Sequence, residues 1–219
     1  MPGDEYTRPQ FDRVALLTID MQAEVISGPH AIPGTEQVLP AVASLARAFR
    51  DARRPIVHIV RLYLPDGSNA DLCRRSEVAA GRGFLGAYSP QSRLASALVP
   101  AGAPPLDPGL LLSGTAQSLG DREHVLYKPR WSAFYQTALQ QHLDGLGVTT
   151  LVVAGCNYPN CPRTTVYDAS ARDYRLVIAE DAVSGFSDHA RREMTGIAAW
   201  CLPTATITRL LGTTAIAGA

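Results

Sequence analysis

The feature that most limits how this chain can fold is a repeated handover between short, wholly apolar runs and segments of helical periodicity. "VALLTID" (14–20) is one such run, and "TEQVLPAVASLARAFRDA" (35–52) follows it with Val38, Val42, Leu45 and Phe49 on one helical face. Pro40 argues that the regular helix begins near that residue. "PIVHIVRLY" (55–63) and "HVLYK" (124–128) read as the second and third strands. "QTALQQHLDGLG" (136–147) reads as a helix stopped by Gly147, and "TTLVVAG" (149–155) as the fourth strand. "PRTTVYDASARD" (162–173) is then a helix, "RLVIAED" (175–181) the fifth strand, "DHARREMTGIAAW" (188–200) the last helix and "TATIT" (204–208) a short sixth strand.

Strands apolar on both faces must be covered on both faces, and parallel strands need crossover helices between them. The pattern therefore predicts a three-layer, doubly wound α/β fold with a mostly parallel, Rossmann-like central sheet of about six strands. At 219 residues the chain is expected to form a single domain over 1–219. A long insertion interrupts it at about 64–122, where Gly-rich and Pro-rich pieces such as "AAGRGFLGAY" and "VPAGAPPLDPG" break the periodicity.

Charge excludes some partners. Twenty basic and 20 acidic side chains give a formal net charge of zero, so neither nucleic acid nor a lipid surface has a basic footprint to bind. The polar start "MPGDEYTRPQFDR" lacks an apolar leader, and no run approaches the length of a membrane span. Four dispersed cysteines do not suggest a disulfide framework, so a cytoplasmic setting is expected. Of the 20 basic residues, 19 are arginine and one, Lys128, is lysine.

Ligands of open parallel sheets bind beyond the carboxyl ends of the strands. The first strand ends in Asp20, the third in Lys128, and the fourth leads through "GCNYPN" to Cys161. A carboxylate, an amine and a thiol thus converge on one rim. Pro162 suits the first helical position, which places Cys161 at the N-cap, facing the positive end of the helix dipole. A thiol pKa of about 8.5 is lowered in such a setting or beside a cation such as Lys128. Asp20 could take the thiol proton and return it to a leaving group, and the backbone N–H groups of Asn157 and Cys161 could hold an oxyanion. These are the parts of a cysteine acyl-transfer site.

Three blocks, "LLTIDMQ", "YKPRWSAF" with Thr137 following, and "VVAGCNYPNCPRTTVYDASARDYRLVIAEDAVSG", together resemble the isochorismatase-like cysteine hydrolases, over about residues 12 to 200. The resemblance implies an Asp–Lys–Cys triad of Asp20, Lys128 and Cys161 and a C–N bond as the target. It also implies that Cys156 is not the nucleophile, and that the Cys156–Asn157 link is a cis peptide bond turning an N–H toward the oxyanion. Many relatives continue "DMQNDF" where this chain has "DMQAEVI", so a Phe that often lines their pocket is missing. Nicotinamidase-like members hold a metal through a D-x-H…H pattern. Here "VRLYLPDGSNADLCRR" has no histidine, so neither metal nor cofactor is expected and nicotinamide is disfavoured.

Trp131, Phe134 and Tyr158 are candidates to wall a pocket for a small-molecule substrate, with Arg61, Tyr63 and Arg163 as candidate anchors for a polar or anionic group. Each aromatic could equally belong to the core. A C-x4-C zinc pair lacks two further ligands, and Tyr167 stands where a cysteine phosphatase needs arginine. Two other readings stay open: a redox pair of Cys156 and Cys161, and a catalytically silent scaffold. The resemblance also implies a homo-oligomer, a dimer or tetramer.

Overall fold

A computed structural model describes residues 4–81 and 84–216, with side chains through 213. Residues 82 and 83, inside the expected insertion, lie outside the described residues. In chain order the elements begin with β1 (Val14–Ile19), α1 (Ala23–Ile26), α2 (Thr35–Asp51) and β2 (Ile56–Val60). There follow α3 (Leu72–Ala79), α4 (Pro108–Leu112), β3 (Gln117–Gly120), β4 (Glu123–Tyr127) and α5 (Leu139–Gly145). The chain then forms β5 (Thr150–Gly155), α6 (Cys161–Ser170), β6 (Arg175–Val183), α7 (Asp188–Gly196), β7 (Trp200–Leu202) and α8 (Thr204–Ile216).

The seven strands lie in the order β3-β4-β2-β1-β5-β6-β7. All neighbours are parallel except the edge pair β3–β4, which is antiparallel. Alternate residues of the central strands serve opposite faces, as the pleat requires. Val14 and Leu16 of β1 join Val152 and Ala154 of β5 beneath α2 and α8, around Val42, Leu45 and Phe49. Ala15, Leu17 and Ile19 join Leu151 and Val153 on the other face, under Leu139, Leu143, Val166 and Met194 of α5, α6 and α7. The mostly parallel three-layer architecture expected from the apolar runs is therefore the one observed.

Several local expectations change. Residues 204–208 are not a strand but the first turn of α8. Thr204 donates both its backbone N–H (2.8 Å) and its hydroxyl (2.7 Å) to Asp181 Oδ1, which fixes a helix start. Ile207 and Leu211, four residues apart, are then both buried. The sixth parallel strand is β7, which starts at the last residue of the helix expected over 188–200; that helix ends at Gly196. Helix α2 starts at Thr35 and carries Pro40 inside it. Pro40 is exposed, so the helix loses one backbone bond without a clash in the core.

The irregular segment at 64–122 adds the antiparallel edge strand β3, α3 and α4. Ala87, Leu94, Leu111 and Leu119 from it pack with Val60, Leu62 and Val125 in a third apolar cluster at the sheet edge. That packing holds the segment against the carboxyl end of β2, beside the rim where β1, β4 and β5 terminate.

Candidate active site

Asp20 and Lys128 are both held by β2, and Cys161 by the turn after β5. Asp20 follows β1 with a positive φ of 51°, a conformation that Asp tolerates better than most residues, and its N–H bonds Ile59 O at 2.9 Å. Lys128 follows β4, its N–H bonding Val60 O at 3.0 Å. Gln22 clamps the ends of β1 and β2 together. Its Oε1 accepts the Arg61 N–H (2.9 Å), and its Nε2 donates to Arg61 O (3.0 Å) and Ser92 O (2.7 Å).

Strand β5 exits through Gly155 at φ +119°, where a Cβ would stand 2.2 Å from Ile19 O. Only glycine lets β5 press this closely on the end of β1 before the chain turns. Cys156 N–H then bonds Ile19 O (2.9 Å), Tyr158 N–H bonds Ser184 O (2.8 Å), and Asn160 N–H bonds Asn157 O (3.1 Å). These bonds fix the turn that delivers Cys161. Among the described residues, the N–H groups of Asn157 and Cys161 have no hydrogen-bond acceptor.

The rim brings carboxylate, amine and thiol together. Lys128 Nζ lies 2.8 Å from Asp20 Oδ2 and donates to Cys161 Sγ at 3.1 Å. Lys128 is fully buried, which an ammonium tolerates only beside compensating partners. Among the described residues Asp20 Oδ1 is buried without a hydrogen-bond partner. Asp20, Asn157 and Cys161 form one wall of a pocket of about 410 Å³, counting its mouth.

Three expectations about this turn are corrected. Cys161 is the first residue of α6 and Asn160 its N-cap, so Pro162 takes the second helical position. The Cys156–Asn157 bond is trans, like every described peptide bond, which is the ordinary state for a link not preceding proline. Most consequentially, the Cys161 thiol is not depressed. Burial pushes it up to about 12, with the Asp20 carboxylate adding to the rise and the charges of Lys128 and Arg61 opposing it. Burial and the Asp20 carboxylate thus favour the neutral thiol over the thiolate.

The candidate binding residues divide. Arg61, Tyr63 and Trp131 line the pocket. Phe134 and Tyr158 do not. Phe134 stacks on Tyr174 (centroids 5.8 Å apart) in the helical layer. Tyr158 is buried there too, its hydroxyl donating to Glu193 Oε2 at 2.8 Å. Both are adjacent to site residues in sequence, but their side chains turn away from the rim. Arg163 likewise pairs with Glu193 at the surface. Cys156 is buried with the Thr35 hydroxyl donating to its sulfur (3.3 Å); burial raises its thiol to about 11, and both Cys156 and Cys161 are free.

The opposite wall comes from residues that sequence reasoning did not single out. Asp71, Arg74 and Phe84 of the irregular segment line the pocket with Val25, Ile32 and Leu85. Asp71 accepts the Tyr63 hydroxyl at 2.8 Å, which joins this wall to the end of β2. The surplus of polar and aromatic residues in 61–84 was the available signal; their depth and direction depend on contacts distant in sequence.

Comparisons with known proteins agree with this architecture. Residues 14–209 match the isochorismatase domain. A probable inactive nicotinamidase of Arabidopsis thaliana is 31% identical over 178 residues, 80% of this chain and 82% of its own length. An isochorismatase family protein from Desulfovibrio vulgaris superposes with a TM-score of 0.76 at 30% identity, covering 91% of this chain and 98% of that one. N-carbamoylsarcosine amidase from Thermoplasma acidophilum follows at 0.70 and 25%, covering 88% and 96%. The chain belongs to the isochorismatase family.

Proposed function

We propose that this member of the isochorismatase family is a cysteine amidohydrolase, cleaving a C–N bond of a small primary amide, carbamoyl or ureido compound through a thioester. The observation that carries the reading is the buried contact set at the rim: Lys128 Nζ 2.8 Å from Asp20 and 3.1 Å from Cys161 Sγ, beside a pocket. The amidase among its structural relatives supports the reaction class.

The raised thiol pKa shapes the mechanism. Cys161 does not attack as a preformed thiolate. As its sulfur bonds the carbonyl carbon, its proton passes to Asp20, whose Oδ1 is otherwise unpartnered. The N–H groups of Asn157 and Cys161 receive the oxyanion, and removing one such donor typically lowers a rate by roughly 10²–10³. Asp20 then protonates the departing nitrogen, and ammonia or an amine leaves the thioester. A water gives its proton to Asp20 and its oxygen to the carbonyl carbon; the acid departs and the proton returns to sulfur. Lys128 holds the carboxylate and the developing sulfur charge throughout, and Arg61, Tyr63 and Trp131 wall the substrate. None of these steps draws on a metal or a cofactor.

An ammonia-release screen over amide and ureido compounds tests this, with Cys161→Ala in parallel. Wild-type turnover that falls below a few percent in the variant is expected; retained turnover sinks the mechanism. The inactive assignment of the Arabidopsis relative favours a second reading, a silent scaffold, which no wild-type turnover across the screen would support. A cytoplasmic homo-oligomer belongs to the same proposal. Leu72, Tyr135 and Tyr167, exposed along a second cleft that shares Asp71 and Trp131 with the pocket, are its candidate contacts, and light scattering after size exclusion measures the state. Among the described residues no helix is long and apolar enough to cross a membrane.

A further inference from the structure

Arg61 is the unusual residue of the pocket. It is 4% exposed, and its backbone is pinned on both sides by Gln22. Guanidinium keeps its charge at any working pH and presents five N–H donors. Among the described residues its one hydrogen bond runs from Nη1 to Pro129 O. Asp71 Oδ1 stands 4.0 Å from Nη1, beyond hydrogen-bond reach. The Asp71 carboxylate is already engaged, taking the Tyr63 hydroxyl at 2.8 Å and the Cys73 thiol at 3.3 Å. The fork of Arg61 is thus held rigidly, lines the pocket and keeps donors without acceptors.

Charge around the pocket points the same way. Asp20 and Lys128 offset each other at 2.8 Å, and Asp71 offsets Arg61, one of the two arginines that line the pocket. The second, Arg74, lies over the Phe84 ring at 5.1 Å and meets Glu77 only at the surface, at 3.5 Å. Before the surface carboxylate of Glu77 is counted, Lys128, Arg61 and Arg74 against Asp20 and Asp71 leave one positive charge in excess at the pocket. A buried fork of N–H donors beside excess positive charge is matched best by a planar anion that can accept two parallel bonds.

We infer that Arg61 is a specificity residue and that the substrate is an amide, carbamoyl or ureido compound that also carries a carboxylate, docked on Arg61 while its carbonyl lies over Cys161. This rests on the reading of the site as an amidohydrolase centre, yet the carboxylate preference is measurable without turnover. The position of Arg61 in the same pocket as Cys161 then makes it a selector of substrates, and neutral amides of equal size are poor ligands.

The test is calorimetric binding to the Cys161→Ala protein, comparing N-carbamoylglycine with its uncharged amide, and N-acetylglycine with its amide. The expected result is about tenfold or tighter binding of each acid over its amide, in line with a charge-assisted pair. Adding Arg61→Met should bring the acid down to the affinity of the amide. Arg61→Lys, which keeps the charge and guards against a folding defect, should retain part of the preference while losing the bidentate geometry. Acid and amide binding alike, no binding of either, or a preference that survives Arg61→Met would overturn the inference. A carboxylate preference in a wild-type protein that hydrolyses nothing would instead leave the anion site standing and remove the hydrolase.

Discussion

The two walls of the pocket are built differently. The wall with Asp20 and Cys161, with Lys128 wholly buried against both, hangs from the ends of β1, β4 and β5. The facing wall comes from the irregular segment; α3 has no buried residue, and Asp71 and Tyr63 tie its start to the sheet. One wall has its geometry fixed by backbone ladders on both sides. The other is joined to the sheet beyond its strand ends, by the Tyr63–Asp71 contact, by backbone bonds between Tyr63 and both Leu85 and Ala87, and by the apolar cluster at the sheet edge. Bond-making chemistry needs the first kind of support, and choice of substrate is served by the second.

This contrast can be broken by mutation. The largest effect belongs to Lys128→Met, which strips a buried carboxylate of its partner. It should cost about 3–5 kcal/mol in urea denaturation and abolish turnover at the same time. Gly155→Ala should cost about 3 kcal/mol or more, because a Cβ 2.2 Å from Ile19 O forces β5 off β1. Equal stability of this variant and wild type would show that the sheet wall is not rigid. On the other wall, Phe84→Ala removes the ring beneath Arg74 and beside Tyr63. It should raise KM by about 3–10-fold with kcat nearly constant, the signature of lost uniform binding. Tyr88→Ala, at a 68% exposed position of the same segment, should stay within about 0.5 kcal/mol of wild type.

The resting thiol provides a pH test. Because the Cys161 pKa is raised, to about 12, its thiolate fraction should grow about tenfold per pH unit across pH 6 to 9. Alkylation of Cys161 by iodoacetamide, followed by peptide mass spectrometry, should rise throughout that range. A plateau below pH 8 would mean a preformed thiolate and a different proton path.

The chemical wall was the legible one. Strand ends can be read from apolar runs, and their carboxyl ends share a rim by topology, so Asp20, Lys128 and Cys161 could be placed together. The thiol's titration was not legible, since N-terminal position in α6 is local whereas burial and the nearby Asp20 are products of the whole fold. Phe134 and Tyr158 show the same limit: nearness to Lys128 or Cys161 along the chain says nothing about which layer a ring enters. Asp71, Arg74 and Phe84 lie where periodicity lapses, and only contacts such as Tyr63–Asp71 bring them to the site. The strand expected at 204–208 failed because alternating Thr and Ala carry no burial pattern of their own, while Asp181, 23 residues earlier, supplies the cap that starts α8.

The most direct measurement is to quench the wild-type protein in acid while it turns over a hydrolysed amide, and to weigh its peptides. An acyl group is expected on the peptide bearing Cys161, absent from those bearing Cys73, Cys156 and Cys201. Turnover with no adduct on Cys161, and undiminished in Cys161→Ala, would contradict it.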